Sequence, residues 1–155
     1  MFDAPADAWY LWLGVTAASV AAFGVATGLP ATAPPDAQRV ADTIDSVAAS
    51  PHEATGQYPL DATAVRLGTA RVSLRTESGT THAAFEYGPV TPVTAESPLW
   101  AVLHGAPPSR TFETPADFRA AATAARTRDH RWESAETVLV RHAKWEGVDV
   151  VLVGA

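Results

Sequence analysis

Hydrophobic positions follow three different patterns along this chain. In residues 8–35 no side chain is charged, and Trp9-Tyr10-Leu11-Trp12-Leu13, continued by residues 14–29, is apolar on every side. Residues 8–29 number 22, about 33 Å as a helix against a hydrocarbon core of roughly 30 Å. A helix satisfies its own backbone in lipid, so this segment is predicted to be a single transmembrane span. Trp9, Tyr10 and Trp12 would then lie at the headgroup level, where amphipathic rings prefer to sit. A buried core helix would be shorter and one-sided. A cleaved signal peptide is the stronger competitor, because Ala31-Thr32-Ala33 has the look of a cleavage site. Against it stand Asp3 and Asp7 in a segment without Lys or Arg, an apolar run longer than a signal core, and Pro34 right after the cut. An uncleaved anchor is therefore the expectation. Gly14, Ala17, Ala21, Gly24 and Gly28 form a candidate helix-packing stripe, with Gly24-x-x-x-Gly28 as a small-xxx-small pattern. Yet 11 of the 15 residues 14–28 are Gly, Ala, Ser or Thr, so any face would read as small. Association with other membrane helices and a lone anchor both stay open.

Beyond the apolar run the pattern becomes that of a folded domain. Pro30, Pro34 and Pro35 make residues 30–35 a short stiff spacer. Asp36 is a plausible N-cap, and Val40, Ile44 and Val47 recur at helical spacing, predicting an amphipathic helix over 37–49 with Asp42 and Asp45 toward water. Period-two alternation follows. Residues 64–67 and 71–76 read as strands, with Val72 and Leu74 on one face and Arg71, Ser73 and Arg75 on the other. A turn at 77–80 leads to 82–87, with Ala83, Phe85 and Tyr87 inward. Val90–Val93 adds an edge piece broken by Pro92. A short helix is expected from Ser97-Pro98 to Gly105, and another from Thr114-Pro115 to about Arg128. A last hairpin joins 137–143 to 148–153 around residues 144–147; Val150-Val151-Leu152-Val153 is apolar on both faces, as in a central strand. The fold class is α+β: an N-terminal transmembrane helix (1–29 with its tail), the spacer (30–35), then a soluble domain (36–155). That domain is expected to be one antiparallel sheet of four or five strands packed by two or three helices.

Composition adds location more than chemistry. The net charge is −6, cysteine is absent, and ten of the 11 basic residues are Arg. An acidic, Lys-poor, Ala/Thr/Val-rich chain is similar to proteins of salt-loving archaea. It argues against nucleic acid or anionic lipid headgroups as partners, because both need a basic face. Disulfides and Cys-based metal sites are excluded. Counting positive charge beside the span finds only Arg39, which favours an inward-facing domain, whereas a short acidic tail can stay inside while a large domain is exported. The expectation is a cell-membrane protein with its domain outside the cytoplasm.

Catalytic signals are meagre. His52, His82, His104, His130 and His142 occur singly, and no H-E-x-x-H, G-x-S-x-G, Walker A or G-x-G-x-x-G pattern is present. His82 and His142 fall on predicted strands and would be a metal pair only if they met across the sheet. The Glu residues show no paired spacing for acid–base chemistry. No catalytic residue, cofactor or metal is expected, and the chain reads as a non-enzyme.

The segments Met1-Phe2-Asp3-Ala4-Pro5, Asp7-Ala8-Trp9-Tyr10-Leu11-Trp12-Leu13-Gly14, Pro34-Pro35-Asp36-Ala37, Ala41-Asp42-Thr43-Ile44-Asp45 and Val47-Ala48-Ala49-Ser50 are similar to a haloarchaeal family. So are Gly88-Pro89-Val90-Thr91-Pro92-Val93 and Val150-Val151-Leu152-Val153. That family consists of small N-terminally membrane-anchored proteins without assigned function. The resemblance implies association with type IV pilus or secretion-like assembly systems, and supplies no catalytic residues. The layout of apolar helix, amphipathic helix and sheet is also similar to pilin-like subunits. It departs from them in lacking a basic leader with its peptidase site, and in the prolines that interrupt the long helix. The expected role is an accessory or structural component of a surface appendage or secretion-like assembly, with the lipid bilayer, other membrane helices or assembly proteins as partners. The alternative is an anchored ligand-binding or sensor domain.

Overall fold

Asp36 opens the first described helix, α1 (Ala37–Ala48), by accepting the Arg39 N–H at 3.2 Å and pairing with the Arg39 guanidinium at 2.9 Å. The computed structural model describes residues 36–155. The expected membrane span, the aromatics Trp9, Tyr10 and Trp12, and the stripe Gly14, Ala17, Ala21, Gly24 and Gly28 lie outside those residues. Among the described residues no helix is long and apolar enough to cross a membrane. The apolar stripe of α1 is buried as the spacing predicts: Val40, Ala41, Ile44 and Val47 face inward. Asp45 corrects the expectation of a wet side, because it is 9% exposed. Its carboxylate accepts the N–H of Glu86 at 3.1 Å on each oxygen and that of Tyr87 at 2.9 Å.

Seven strands follow the helix pattern into two sheets, not one. β1 (Ala54–Pro59), β6 (Thr137–Trp145), β7 (Val148–Gly154) and β5 (Thr91–Pro92) form a four-stranded sheet in the order β1-β6-β7-β5; β2 (Ala64–Leu67), β3 (Arg71–Thr76) and β4 (Gly79–Ala84) form a three-stranded sheet. All pairings are antiparallel except β5 with β7, which is parallel. The expected single antiparallel sheet is thus replaced by an α+β body with two sheets. The reason is burial. The apolar faces of the β3–β4 and β6–β7 hairpins both need cover, and each turns its face to a shared core with α1 in place of pairing edges. Val65, Val72, Leu74 and Ala83 from one sheet, Val138, Val140 and Val153 from the other, and the α1 stripe make that core.

The second face of the four-stranded sheet carries another core. α2 (Leu99–Leu103), α3 (Pro108–Thr111) and α4 (Pro115–Arg126) lie on that side. Leu99, Val102, Leu103, Phe118, Ala122 and Ala125 meet Ala143, Val148, Val150 and Leu152 there. Val150 and Leu152 thus serve one core while Val151 and Val153 serve the other, so β7 is the central strand its sequence predicts. α4 begins where Thr114-Pro115 places it. Thr114 and Asp117 form a reciprocal capping box that satisfies two otherwise orphaned N–H groups. Arg141, on this same face, reaches the carbonyls of Val102 and Ala106 and ties off the end of α2.

Three boundaries differ from the sequence reading, the first being the β6–β7 turn, which is only Glu146-Gly147 and not 144–147 because Trp145 pairs directly with Val148. The β3–β4 turn is only Glu77-Ser78, since Thr76 pairs directly with Gly79. β4 ends at Ala84, and Tyr87, expected inward, is 54% exposed. Asp45 takes the N–H groups of Glu86 and Tyr87 away from any strand ladder, which ends the pairing there. β1 and α3 have no counterpart in the periodicity. In β1 the cause is Gly56: a Cβ there would lie 2.9 Å from Val47 Cγ2 and 3.1 Å from Val140 Cγ1, so the strand gives up a side chain to let α1 approach.

Candidate functional site

The three-stranded sheet has an outer face as well as an inner one. β3 turns Val72 and Leu74 inward, so Arg71, Ser73 and Arg75 point outward, as their alternation predicts. The register brings Arg66 of β2 and His82 of β4 level with Ser73 on either side. The segment before β6 completes the face. Glu133 exchanges both backbone hydrogen bonds with Val65 at 2.8 Å, which pins this segment beside β2. Its neighbour Trp132 consequently lies on the outer side, with the Arg66 guanidinium carbon 5.0 Å and that of Arg75 4.0 Å from its ring centroid. Indole faces attract guanidinium groups through the ring quadrupole, so two like charges share one aromatic platform.

A cleft of about 310 Å3 opens beside this platform, lined by Arg66, Arg71, Ser73, His130 and the 68–70 loop. No Asp or Glu lines it. Ser73 is 1% exposed, and its Oγ lies 2.8 Å from His82 Nδ1. Among the described residues, the ion pairs are Arg39–Asp36, His142–Asp149 and Lys144–Asp149, so Arg66, Arg71 and Arg75 pair with no described carboxylate. A chain of net charge −6 therefore carries a locally basic face that its total conceals.

His142 forms a second cluster on the other sheet. It is 4% exposed, its Nε2 hydrogen-bonds Asp149 across the β6–β7 hairpin, and its buried Nδ1 has no partner among the described residues. Lys144 also reaches Asp149, at 3.1 Å, and donates to the Pro51 carbonyl at 2.8 Å. Burial alone would raise the Asp149 carboxyl. The hydrogen bonds from His142 and Lys144, with their charges, outweigh it and hold the group below its ordinary value. A carboxylate lowered on folding stabilises the fold above its unfolded pKa, and that contribution fades as pH falls through the folded value. A cleft of about 480 Å3 adjoins this cluster, lined also by Tyr87 and Arg126. Arg126 donates to Thr91 Oγ1 at 2.8 Å, and its burial lowers its pKa from the ordinary value. A carboxylate-oriented imidazole resembles half of a nucleophile-activating triad, but no hydroxyl or thiol stands at hydrogen-bond distance from Nδ1. The geometry is that of a clasp between strands.

His82 and His142 do not meet. They lie on different sheets, one bonded to Ser73 and the other to Asp149, so the cross-sheet pair that would have suggested a metal is absent. Among the described residues no group of three or more His, Asp or Glu could hold a metal ion. A third cleft, of about 590 Å3, runs between β2, the turn at 94–97 and the 128–133 segment. Its lining mixes Arg128 and Arg131 with Glu96, Asp129 and Glu133, so it presents no single chemistry.

Sequence spacing identified Arg71, Ser73 and Arg75 as co-facial and stopped there. Arg66, His130 and Trp132 join them through sheet register and one isolated bridge, for which no short-range pattern exists. Among curated proteins and among solved structures there is no match to this chain. A family of unknown function, DUF7283, matches residues 3–143. With nearly its whole length aligned to that family, the chain belongs to DUF7283.

Proposed function

We propose that this protein is a single-pass, membrane-anchored accessory or structural component of a surface-appendage or secretion-like assembly, and that it acts by docking and not by catalysis. The observation that carries the reading is the charge-free segment. Its 22 uncharged, mostly apolar residues, 8–29, match the roughly 30 Å hydrocarbon thickness. Six residues, 30–35, three of them proline, join it to the folded body. In six residues the chain reaches at most about 20 Å, which keeps the body near the bilayer. The haloarchaeal character of the composition and the pilin-like order of elements support an assembly role with the body outside the cytoplasm. The second reading, an anchored ligand-binding or sensor domain, is favoured by a separate observation, the unpaired Arg66, Arg71 and Arg75 beside Trp132.

Fractionation and affinity capture test the proposal together. The full chain should stay with membranes through high salt and alkaline carbonate and leave only with detergent. From gently solubilised membranes it should co-purify with assembly ATPase or platform proteins. Protease added to intact cells should cleave the body. A body protected in intact cells would sink the surface-appendage role, and release by salt alone would sink the anchor.

A further inference from the structure

We propose that the cleft on the outer face of the three-stranded sheet, walled by Arg66, Arg71, Ser73 and His130 beside the Trp132-stacked Arg75, is a binding site for a phosphate group, free or on a lipid headgroup. The charge pattern is the first support. The chain has 17 acidic and 11 basic residues, so carboxylates are plentiful, yet three arginines gather on one face with no described carboxylate within pairing distance. Neighbouring like charges repel, and the Trp132 indole offsets only part of that cost for Arg66 and Arg75. An anion among them would remove the remainder.

The donors match a phosphate in kind and number. A guanidinium offers a rigid fork that pairs bidentately with phosphate oxygens, and stacking on an indole restricts its motion while leaving its N–H edge free. Arg66 and Arg71 both line the cleft together with His130, while the Ser73 hydroxyl is already bonded to His82 Nδ1 at 2.8 Å. Two guanidinium groups and an imidazole lining one small cavity suit a compact anion with several oxygens better than a single carboxylate. The shape agrees. A Cβ on Gly68 would lie 3.2 Å from the Arg71 carbonyl oxygen and 3.9 Å from His130 Cδ2, so a side chain at this position would crowd the cleft. One compact cleft, and not a groove that tracks a polymer backbone, points away from nucleic acid. The free-phosphate arm stands without the membrane anchor; the lipid arm rests on it.

Isothermal titration of the full chain in non-ionic detergent, at fixed ionic strength, tests the site. The probes are inorganic phosphate, short-chain phosphatidylglycerol, and short-chain phosphatidylcholine as the zwitterionic control. Wild type should bind phosphate or phosphatidylglycerol in preference to phosphatidylcholine. Arg66→Gln and Arg71→Gln should each weaken that binding by about tenfold or more. Gly68→Ala, which narrows the cleft without changing charge, should weaken it as well, and Arg110→Gln on α3 should not. Binding of phosphate alone identifies a soluble ligand; binding of phosphatidylglycerol alone identifies a headgroup. Absence of binding to both, or equal weakening by Arg110→Gln, overturns the proposal. Membrane retention in carbonate is read separately, so failure of this site and failure of the anchor are distinguishable.

Discussion

Asp45 shows how one side chain can contradict its surroundings in the sequence. Residues 37–48 form an amphipathic helix, and an Asp beside the apolar stripe reads as part of the wet face. Its oxygens instead end the β4 hairpin by accepting the N–H groups of Glu86 and Tyr87. These residues are 41 and 42 positions away, so nothing local announces the bond. Hydrogen bonds to a charged acceptor carry more weight than neutral ones, and removing the acceptor leaves donors unpaired. Asp45→Ala should therefore cost about 2 kcal/mol of unfolding free energy, with Asp45→Asn losing roughly half as much because one acceptor oxygen remains. Urea unfolding followed by circular dichroism measures both; equal stability of wild type and Asp45→Ala would remove Asp45 from this role. The same distance problem hides the Arg66–Trp132–Arg75 stack. Arg71, Ser73 and Arg75 are co-facial by simple alternation, while Trp132 arrives from more than fifty positions further along the chain.

At the scale of elements, local chemistry was legible wherever it closes on itself. The Thr114–Asp117 box, the prolines at helix starts and the β6–β7 hairpin are all read from adjacent residues. The β6–β7 turn is a further case. Glu146 and Gly147 both have positive φ, 43° and 81°, as a two-residue type I′ turn demands. Gly adopts this conformation freely, whereas a side chain pays for it. Gly147→Ala should lose about 1 kcal/mol, and Glu146→Asn should gain about 0.5 kcal/mol because Asn tolerates the left-handed region. Thermal melts of the two variants should shift in opposite directions; a shift of the same sign in both would show that turn geometry does not limit this hairpin. β1 was illegible for the complementary reason. Its Gly56 weakens the strand pattern in order to admit Val47 of a different element.

For the whole molecule, the four-stranded sheet is the shared wall of two cores. Ile44 of α1 and Phe118 of α4 are fully buried on opposite sides of it. Deleting either side chain removes buried apolar volume that rigid neighbours do not refill, at about 3–4 kcal/mol each. Because β6 and β7 contribute to both cores, Ile44→Ala and Phe118→Ala should each lower the midpoint of one common transition. Calorimetry checks this. Two resolved transitions, one per variant, would mean that the two faces fold independently.

Patterns with a short period were legible in the chain alone: a helical stripe, alternating strands and capped helix starts. Each depends on contacts within a few residues, or on solvent preference summed along one segment, so composition and spacing carry it. The split into two sheets, the burial of Asp45, the separation of His82 from His142 and the gathering of unpaired arginines on one face emerged from packing. They depend on which apolar faces cover each other, and that is a competition among all elements at once. A net charge of −6 is a sum and has no direction. The fold places the charges in space, and so creates a basic cleft on an acidic protein.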